Sequence, residues 1–279
     1  MSQVGSSGSD SDVSVPTGSE KDGEDTILSV RDVSKHYGGV VALEDVSLSV
    51  RENEVLSIVG DNGAGKSTFI KLLSGVIPST SGEFFMHDSD SDNLENIVLD
   101  SPSMAKRAGI ETVFQDMSLS MQHDVAANVF MGREPLKDDI TGKLFRRIDR
   151  EQMEQRSVEA LDEIGFSIDP NAITEELSGG QQQAIAVARA LISDPRIVIL
   201  DEPTAEVSVE GSQKILDLIE ELQASGKTVI FITHNLEEVF DVADRVAVLR
   251  QGNLVVKLEN DGTIDREELV GHMTGAIQE

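Results

Sequence analysis

Gly60-Asp61-Asn62-Gly63-Ala64-Gly65-Lys66-Ser67 sets four residues between two glycines and closes on a lysine and a hydroxyl, the arrangement that holds a nucleoside triphosphate by its phosphates. Glycine at 60, 63 and 65 permits backbone angles and close approaches that a side chain would block, so successive N–H groups turn inward on an anion. A helix starting at the end of the loop adds its positive end. Lys66 can place an ammonium against the β- and γ-phosphates, and the Ser67 hydroxyl can complete a Mg²⁺ shell. Such a loop needs a buried strand before it and a helix after it. Val55-Leu56-Ser57-Ile58-Val59 reads as the strand, and Thr68-Phe69-Ile70-Lys71-Leu72-Leu73 as the helix.

Further groups have the right chemistry for the same task. Arg196-Ile197-Val198-Ile199-Leu200-Asp201-Glu202 is an apolar strand ending in two carboxylates. In a parallel sheet buried on both faces, ligands sit at that end. Asp201 would orient the Mg²⁺ shell, and Glu202 would polarise the water that attacks the γ-phosphate. Lys227-Thr228-Val229-Ile230-Phe231-Ile232-Thr233 is a further buried strand, and His234 ends it as a hydrogen-bond donor to the γ-phosphate. Gln115 ends the strand-like run 110–114 and can reach Mg²⁺ or an attacking water, although most glutamines do neither. Ser178-Gly179-Gly180 opens an apolar helix and is either a second anion site or a plain helix cap, and locally the cap is favoured. Tyr37, the only tyrosine, stands beside Gly38-Gly39; it either stacks on a base or packs in its loop.

The elements that position these groups follow from pattern. Residues 1–25 are Ser, Gly, Asp and Glu and read as a disordered acidic tail. Residues 27–30 and 43–50 read as strands of a small antiparallel sheet joined through 35–39. Residues 82–86 read as another strand, and the polar stretch to about Asn93 as a solvated loop. Helical signals dominate 116–174, most clearly over 150–164, and a helix is expected over 184–192. Residues 245–250 and 254–258 flank Gln251-Gly252-Asn253 as a hairpin, and 266–273 reads as a short closing helix.

Composition bounds the function. With 279 residues and 39% hydrophobic content the chain can bury a large α/β core. It has no cysteine, so no disulfide or thiolate metal site. A run long enough for a membrane span and a signal peptide are both missing, so the chain is expected in the cytoplasm. There are 51 acidic against 23 basic residues, a formal charge of −28. A surface of that charge repels nucleic acid and is stabilised by salt, so a halophilic cytoplasm is expected.

Taken in order, residues 60–67, Gln115, Leu177-Ser178-Gly179-Gly180-Gln181, Leu200-Asp201-Glu202-Pro203-Thr204 and His234 resemble the ATP-binding subunit of ABC transporters over roughly residues 26–275. Ser-Gly-Gly-Gln discriminates, because many NTPases share the other motifs. The resemblance tips Ser178 from plain cap to anion site. It implies an α/β fold: a RecA-like P-loop core and β-subdomain over 26–115 and 181–279, with a helical subdomain inserted at 116–180. It further implies that two subunits, identical ones being favoured, meet head to tail. ATP held by Gly60, Asn62, Gly63, Ala64, Gly65, Lys66, Ser67 and Thr68 of one is then closed over by Ser178, Gly179, Gly180 and Gln181 of the other. Tyr37 falls where the family stacks adenine, Ser67, Gln115 and Asp201 where it holds Mg²⁺, and Glu202 and His234 where it hydrolyses ATP.

Gly60-Asp61-Asn62-Gly63, Phe114-Gln115-Asp116, Met131-Gly132-Arg133-Glu134 and Pro203-Thr204-Ala205 look like the branch serving ribose, xylose and fructose importers. That implies a simple-sugar substrate, polytopic permease subunits, an extracellular solute-binding protein, and a peripheral place on the cytoplasmic face of the membrane. The alternative is a soluble ABC ATPase acting on ribosomes or nucleic acid, which the acidic charge disfavours. One departure stands out: Ser208 occupies the position where most of the family has aspartate, leaving Glu206 or Glu210 as substitutes.

Overall fold

The computed structural model describes residues 25–88, 93–138, 145–205, 207–262 and 264–277; the acidic tail, apart from Asp25, and Glu206 lie outside them. The apolar runs condense into one six-stranded sheet. Strands β3 (Val55–Val59), β6 (Ile110–Val113), β7 (Ile197–Asp201), β8 (Thr228–Ile232) and β9 (Arg245–Arg250) are parallel, and β10 (Asn253–Glu259) returns antiparallel on β9, giving the order β10-β9-β3-β8-β7-β6.

Alternation along these strands divides the core in two. Val55, Val198, Leu200, Val229, Phe231 and Val248 face a layer of helices: α3 (Val125–Val129), α4 (Arg150–Asp162), α5 (Gly179–Leu191), α6 (Val209–Ala224) and α7 (Leu236–Val242). Leu56, Ile58, Ile199, Ile230, Ile232 and Leu249 face α1 (Lys66–Leu73), α2 (Pro102–Arg107) and a second sheet. Both faces of the central strands are therefore dry, which is why they read as continuous apolar runs. Helix α8 (Arg266–Thr274) packs beside β9 and closes the chain.

The second sheet is antiparallel, in the order β2-β1-β4-β5, and differs from expectation in two places. β1 (Thr26–Tyr37) and β2 (Val40–Arg51) run much further than 27–30 and 43–50, so the connection shrinks to Gly38-Gly39. Register shifts beside Val33 and left-handed Asp32 (φ 50°) and Asp45 (φ 46°) break the alternation and hid the extension. Residues 89–92 of the polar stretch read as loop to about Asn93 lie outside the described residues; the differences are that β4 (Ser81–Asp88) reaches past 86 and pairs with an unanticipated β5 (Asn93–Ile97), an exposed edge whose Asn and Glu face water. Among the described residues between 116 and 174, helix is less continuous than expected. Gly132, Pro135 and Pro170 interrupt it, and bridges pair Asp124 with Ile173 and Leu136 with Ile148.

Candidate functional site

The loop between β3 and α1 is a backbone cradle. Gly65 caps α1 in the left-handed region (φ 110°, ψ −4°) with no side-chain cap, so the first helical N–H groups are left for a ligand. A Cβ on Gly60 (φ 154°) would stand 2.2 Å from the Leu249 carbonyl oxygen, and one on Gly65 2.7 Å from Leu43 Cδ2. Gly63 (φ 83°) faces open space, where only its backbone angle demands glycine. Asp61 and Asn62 are exposed, Ala64 is buried, and Ser67 and Thr68 sit on the first turn, Ser67 open to solvent. Lys66 is 7% exposed. Its Nζ donates to the Gly60 carbonyl at 2.5 Å and the Asp61 carbonyl at 3.2 Å. Burial lowers its pKa, against the opposing charges of Glu202, Asp61 and Asp201.

The other predicted groups leave the same edge of the sheet. β3, β8, β7 and β6 are adjacent and parallel, so their carboxyl ends present the glycine loop, His234, Asp201-Glu202 and Gln115 side by side. Glu202 adopts φ 47°, its N–H donates to the Ile232 carbonyl at 2.9 Å, and its Oε2 lies 3.4 Å from His234 Nδ1. Gln115 is exposed and lines a cavity of about 340 Å³ with Gln182 of α5. Tyr37 ends β1, half-exposed, with the Lys35 ammonium 5.2 Å from its ring centroid. Its hairpin reaches the cradle through Ala42 and Leu43, which lie against Gly65.

Ser178, Gly179, Gly180 and Gln181 are elsewhere. Ser178 caps α5 in a reciprocal box with Gln181: the Gln181 N–H donates to Ser178 Oγ at 3.4 Å, and the Ser178 N–H to Gln181 Oε1 at 3.0 Å. These four residues line a cleft of about 820 Å³ with Ser208, Glu210 and Lys214, and no residue of the glycine loop lines it. Within one chain the glycine loop and the Ser178 cleft are therefore separate. Ser208 caps α6, its Oγ accepting from the Gly211 N–H at 3.3 Å, a role serine fills as well as aspartate.

A sequence profile for the family described as ABC transporter matches residues 43–205, more than half of the chain. The chain belongs to the ABC transporter family. It is 39% identical over 255 residues to the fructose import ATP-binding protein FrcA of Rhizobium meliloti, covering 91% of this chain and 95% of that one. It is 37% identical over 249 residues to the xylose/arabinose import ATP-binding protein XylG of Sulfolobus acidocaldarius, covering 89% and 94%. The ADP conformation of MJ1267, an ATP-binding cassette of an ABC transporter, matches with a TM-score of 0.73 at 27% identity, over 89% of this chain and 95% of that one. The dimeric post-hydrolysis cassette MJ0796 bound to ADP and Pi matches with a TM-score of 0.67 at 27% identity, over 85% and 100%. This chain is accordingly the ATP-binding, ATP-hydrolysing subunit of an ABC transporter, built on the RecA-like core that the motifs implied.

Several residues shape this ABC ATPase site through contacts that the sequence pattern does not show. Gln251 (φ 51°) and Gly252 (φ 83°) form the two-residue β9–β10 turn. The Gly252 N–H donates to the Ala64 carbonyl, and its own carbonyl accepts from Glu44, both at 2.9 Å, so a distant hairpin braces the cradle. Buried Asn128 accepts from the Ser120 N–H at 2.7 Å and donates to Thr174 Oγ1 at 2.9 Å. Arg189 of α5 donates to the Met117 and Ser118 carbonyls. Together they clamp the segment after Gln115 to the helix that Ser178 opens. Glu238 of α7 accepts from Thr204 and Thr233. In a sequence Asn128, Arg189 and Glu238 look like ordinary loop and helix residues, and the 251–253 hairpin is legible without its contact to Ala64.

Burial, and then the adjacent Glu202 charge, raises the Asp201 pKa, with Lys71 and Lys66 opposing. A raised folded-state pKa means that the charged form costs stability. The cost is absent below the unfolded value of 3.8, grows as pH rises, and is complete above the folded value. Asp201→Asn is therefore expected to raise the melting temperature at neutral pH, the gain shrinking as pH falls toward 3.8. Paired thermal scans check this, and an unchanged or lower melting temperature at neutral pH contradicts it. Among the described residues no group of three or more His, Cys, Asp or Glu side chains could hold a metal ion. The donors near the cradle, the Ser67 hydroxyl and the Asp201 carboxylate, are few and hard, which suits a cation that takes its remaining ligands from phosphates and water.

Proposed function

We propose that two copies of this chain bind two ATP molecules head to tail and use their hydrolysis to drive import of a simple sugar through separate membrane subunits. The observation that carries the proposal is the separation of the glycine-loop edge from the Ser178 cleft. A second copy supplies what each edge lacks. In this reading the cradle of one copy and Lys66 hold the triphosphate, Tyr37 stacks on adenine, and Ser178, Gly179, Gly180 and Gln181 of the other copy close over the γ-phosphate. Ser67, Asp201 and Gln115 hold Mg²⁺, which neutralises phosphate charge when bound. Glu202 orients and deprotonates the attacking water, and His234 donates to the γ-phosphate. Loss of the γ-phosphate removes the contacts that hold the pair closed, and the copies part.

Support for the substrate class comes from FrcA and XylG, whose names specify fructose and xylose/arabinose import. The dimeric cassette MJ0796 supports pairing. No helix among the described residues is long and apolar enough to cross a membrane, which fits a peripheral subunit on the cytoplasmic face with a polytopic permease as partner and a solute-binding protein outside. The −28 charge fits a salt-rich cytoplasm and disfavours nucleic acid. Affinity purification of the tagged Glu202→Gln variant from its own cells in high salt, followed by mass spectrometry, tests this. Recovery of a polytopic membrane protein and a sugar-binding protein is expected; ribosomal or chromosomal partners alone would overturn it.

A further inference from the structure

We infer that Glu238 is a positioning residue for hydrolysis, holding the loops of Glu202 and His234 in one register. The inference rests on the reading of those two residues as the hydrolytic pair. Glu238 lies on α7 and is 6% exposed. Its Oε2 accepts from Thr233 Oγ1 at 2.6 Å and Thr204 Oγ1 at 3.0 Å, and its Oε1 accepts from Asn235 Nδ2 at 3.1 Å. All three donors are neutral, and no cation pairs with the carboxylate among the described residues. A buried anion without a cation is expensive unless several directed donors hold it. Its location explains why the expense is tolerated.

Thr204 follows Glu202 by two residues, across buried Pro203, and Thr233 directly precedes His234. Thr233 Oγ1 also accepts from the Asn235 N–H at 3.0 Å, fixing the backbone on both sides of His234. His234 itself has a side chain 66% exposed, with Glu202 Oε2 at 3.4 Å. Solvent gives an imidazole no fixed position. Its place is set by the backbone, and that backbone hangs from Glu238. The same carboxylate oxygen receives the hydroxyl from the Glu202 side, so one acceptor sets the distance between the two loops. A carboxylate suits this task because it only accepts. An amide that kept its oxygen at the Oε2 place would turn its NH₂ on the Asn235 Nδ2 donor, and the opposite orientation would turn it on both threonine hydroxyls.

The test is a set of coupled substitutions read by ATP turnover, KM, ATP affinity and melting temperature on the full chain. Glu238→Gln is expected to lower kcat by about 10- to 100-fold, the scale of a small misplacement of reacting groups. KM and ATP affinity should stay within about twofold, which general structural damage would not leave intact. Thr204→Val, which removes one of the three donors, should lower kcat in the same direction and serves if Glu238→Gln does not fold. The deciding comparison is with His234→Ala: once His234 is gone, adding either substitution should slow turnover little further. Losses that multiply, or an unchanged kcat in both Glu238→Gln and Thr204→Val, overturn the inference while leaving the hydrolytic pair standing. Wild-type turnover in His234→Ala overturns the pair itself, and the inference with it.

Discussion

Glu202→Gln is expected to lower ATP turnover by roughly 10³-fold, within the range for loss of a general base, while ATP still binds and the ATP-bound dimer accumulates. The substitution is nearly isosteric. The backbone at φ 47°, the N–H bond to Ile232 and the contact between the Ala205 N–H and the Glu202 carbonyl are unaffected by it. What disappears is the basic oxygen beside His234. Removing that charge also takes a negative neighbour away from the incoming phosphates, so ATP affinity should hold or improve. Phosphate release and size-exclusion chromatography with ATP check both halves. Rapid turnover would remove Glu202 from the role assigned to it.

Lys66→Ala should weaken ATP binding by about 10²-fold, roughly 3 kcal/mol, the order expected for losing charge-assisted hydrogen bonds to phosphate. The ammonium donates to the Gly60 and Asp61 carbonyls. In the ATP complex those bonds are expected to be exchanged for phosphate oxygens, whose charge reverses the desolvation that lowers its pKa. AMP, which lacks the β- and γ-phosphates, should bind the variant and the wild type alike. Equilibrium titration with both nucleotides checks this, and an unchanged ATP affinity would contradict the cradle.

The sheet edge that carries the glycine loop was legible because it grows from strands buried on both faces. In β3, β7 and β8 the apolar run fixes the element, and the polar residue after it marks the ligand end. β5 was not legible, since Asn93-Leu94-Glu95-Asn96-Ile97 is an exposed edge stabilised by pairing rather than burial. The extension of β1 was hidden by its bulges. Gly252 braces Ala64 across a sequence gap that no local pattern encodes. Glu238 sits beside exposed Glu237, and only packing distinguishes the two. At Ser178 the structure shows the helix cap; the anion site that the resemblance implies there is a proposal that requires a second chain.

That second chain is the central claim, and the absence of native cysteine allows a direct measurement of it. Asn62 and Ser178 are both exposed, so Asn62→Cys can be placed in one preparation and Ser178→Cys in another, each carrying Glu202→Gln to preserve the ATP-bound state. Mixed and oxidised with ATP, the two are predicted to form a disulfide-linked heterodimer on a non-reducing gel, with neither preparation forming that link alone or without ATP. A link that forms only within one chain carrying both cysteines, with no cross-linked heterodimer from the mixture, would contradict the head-to-tail site.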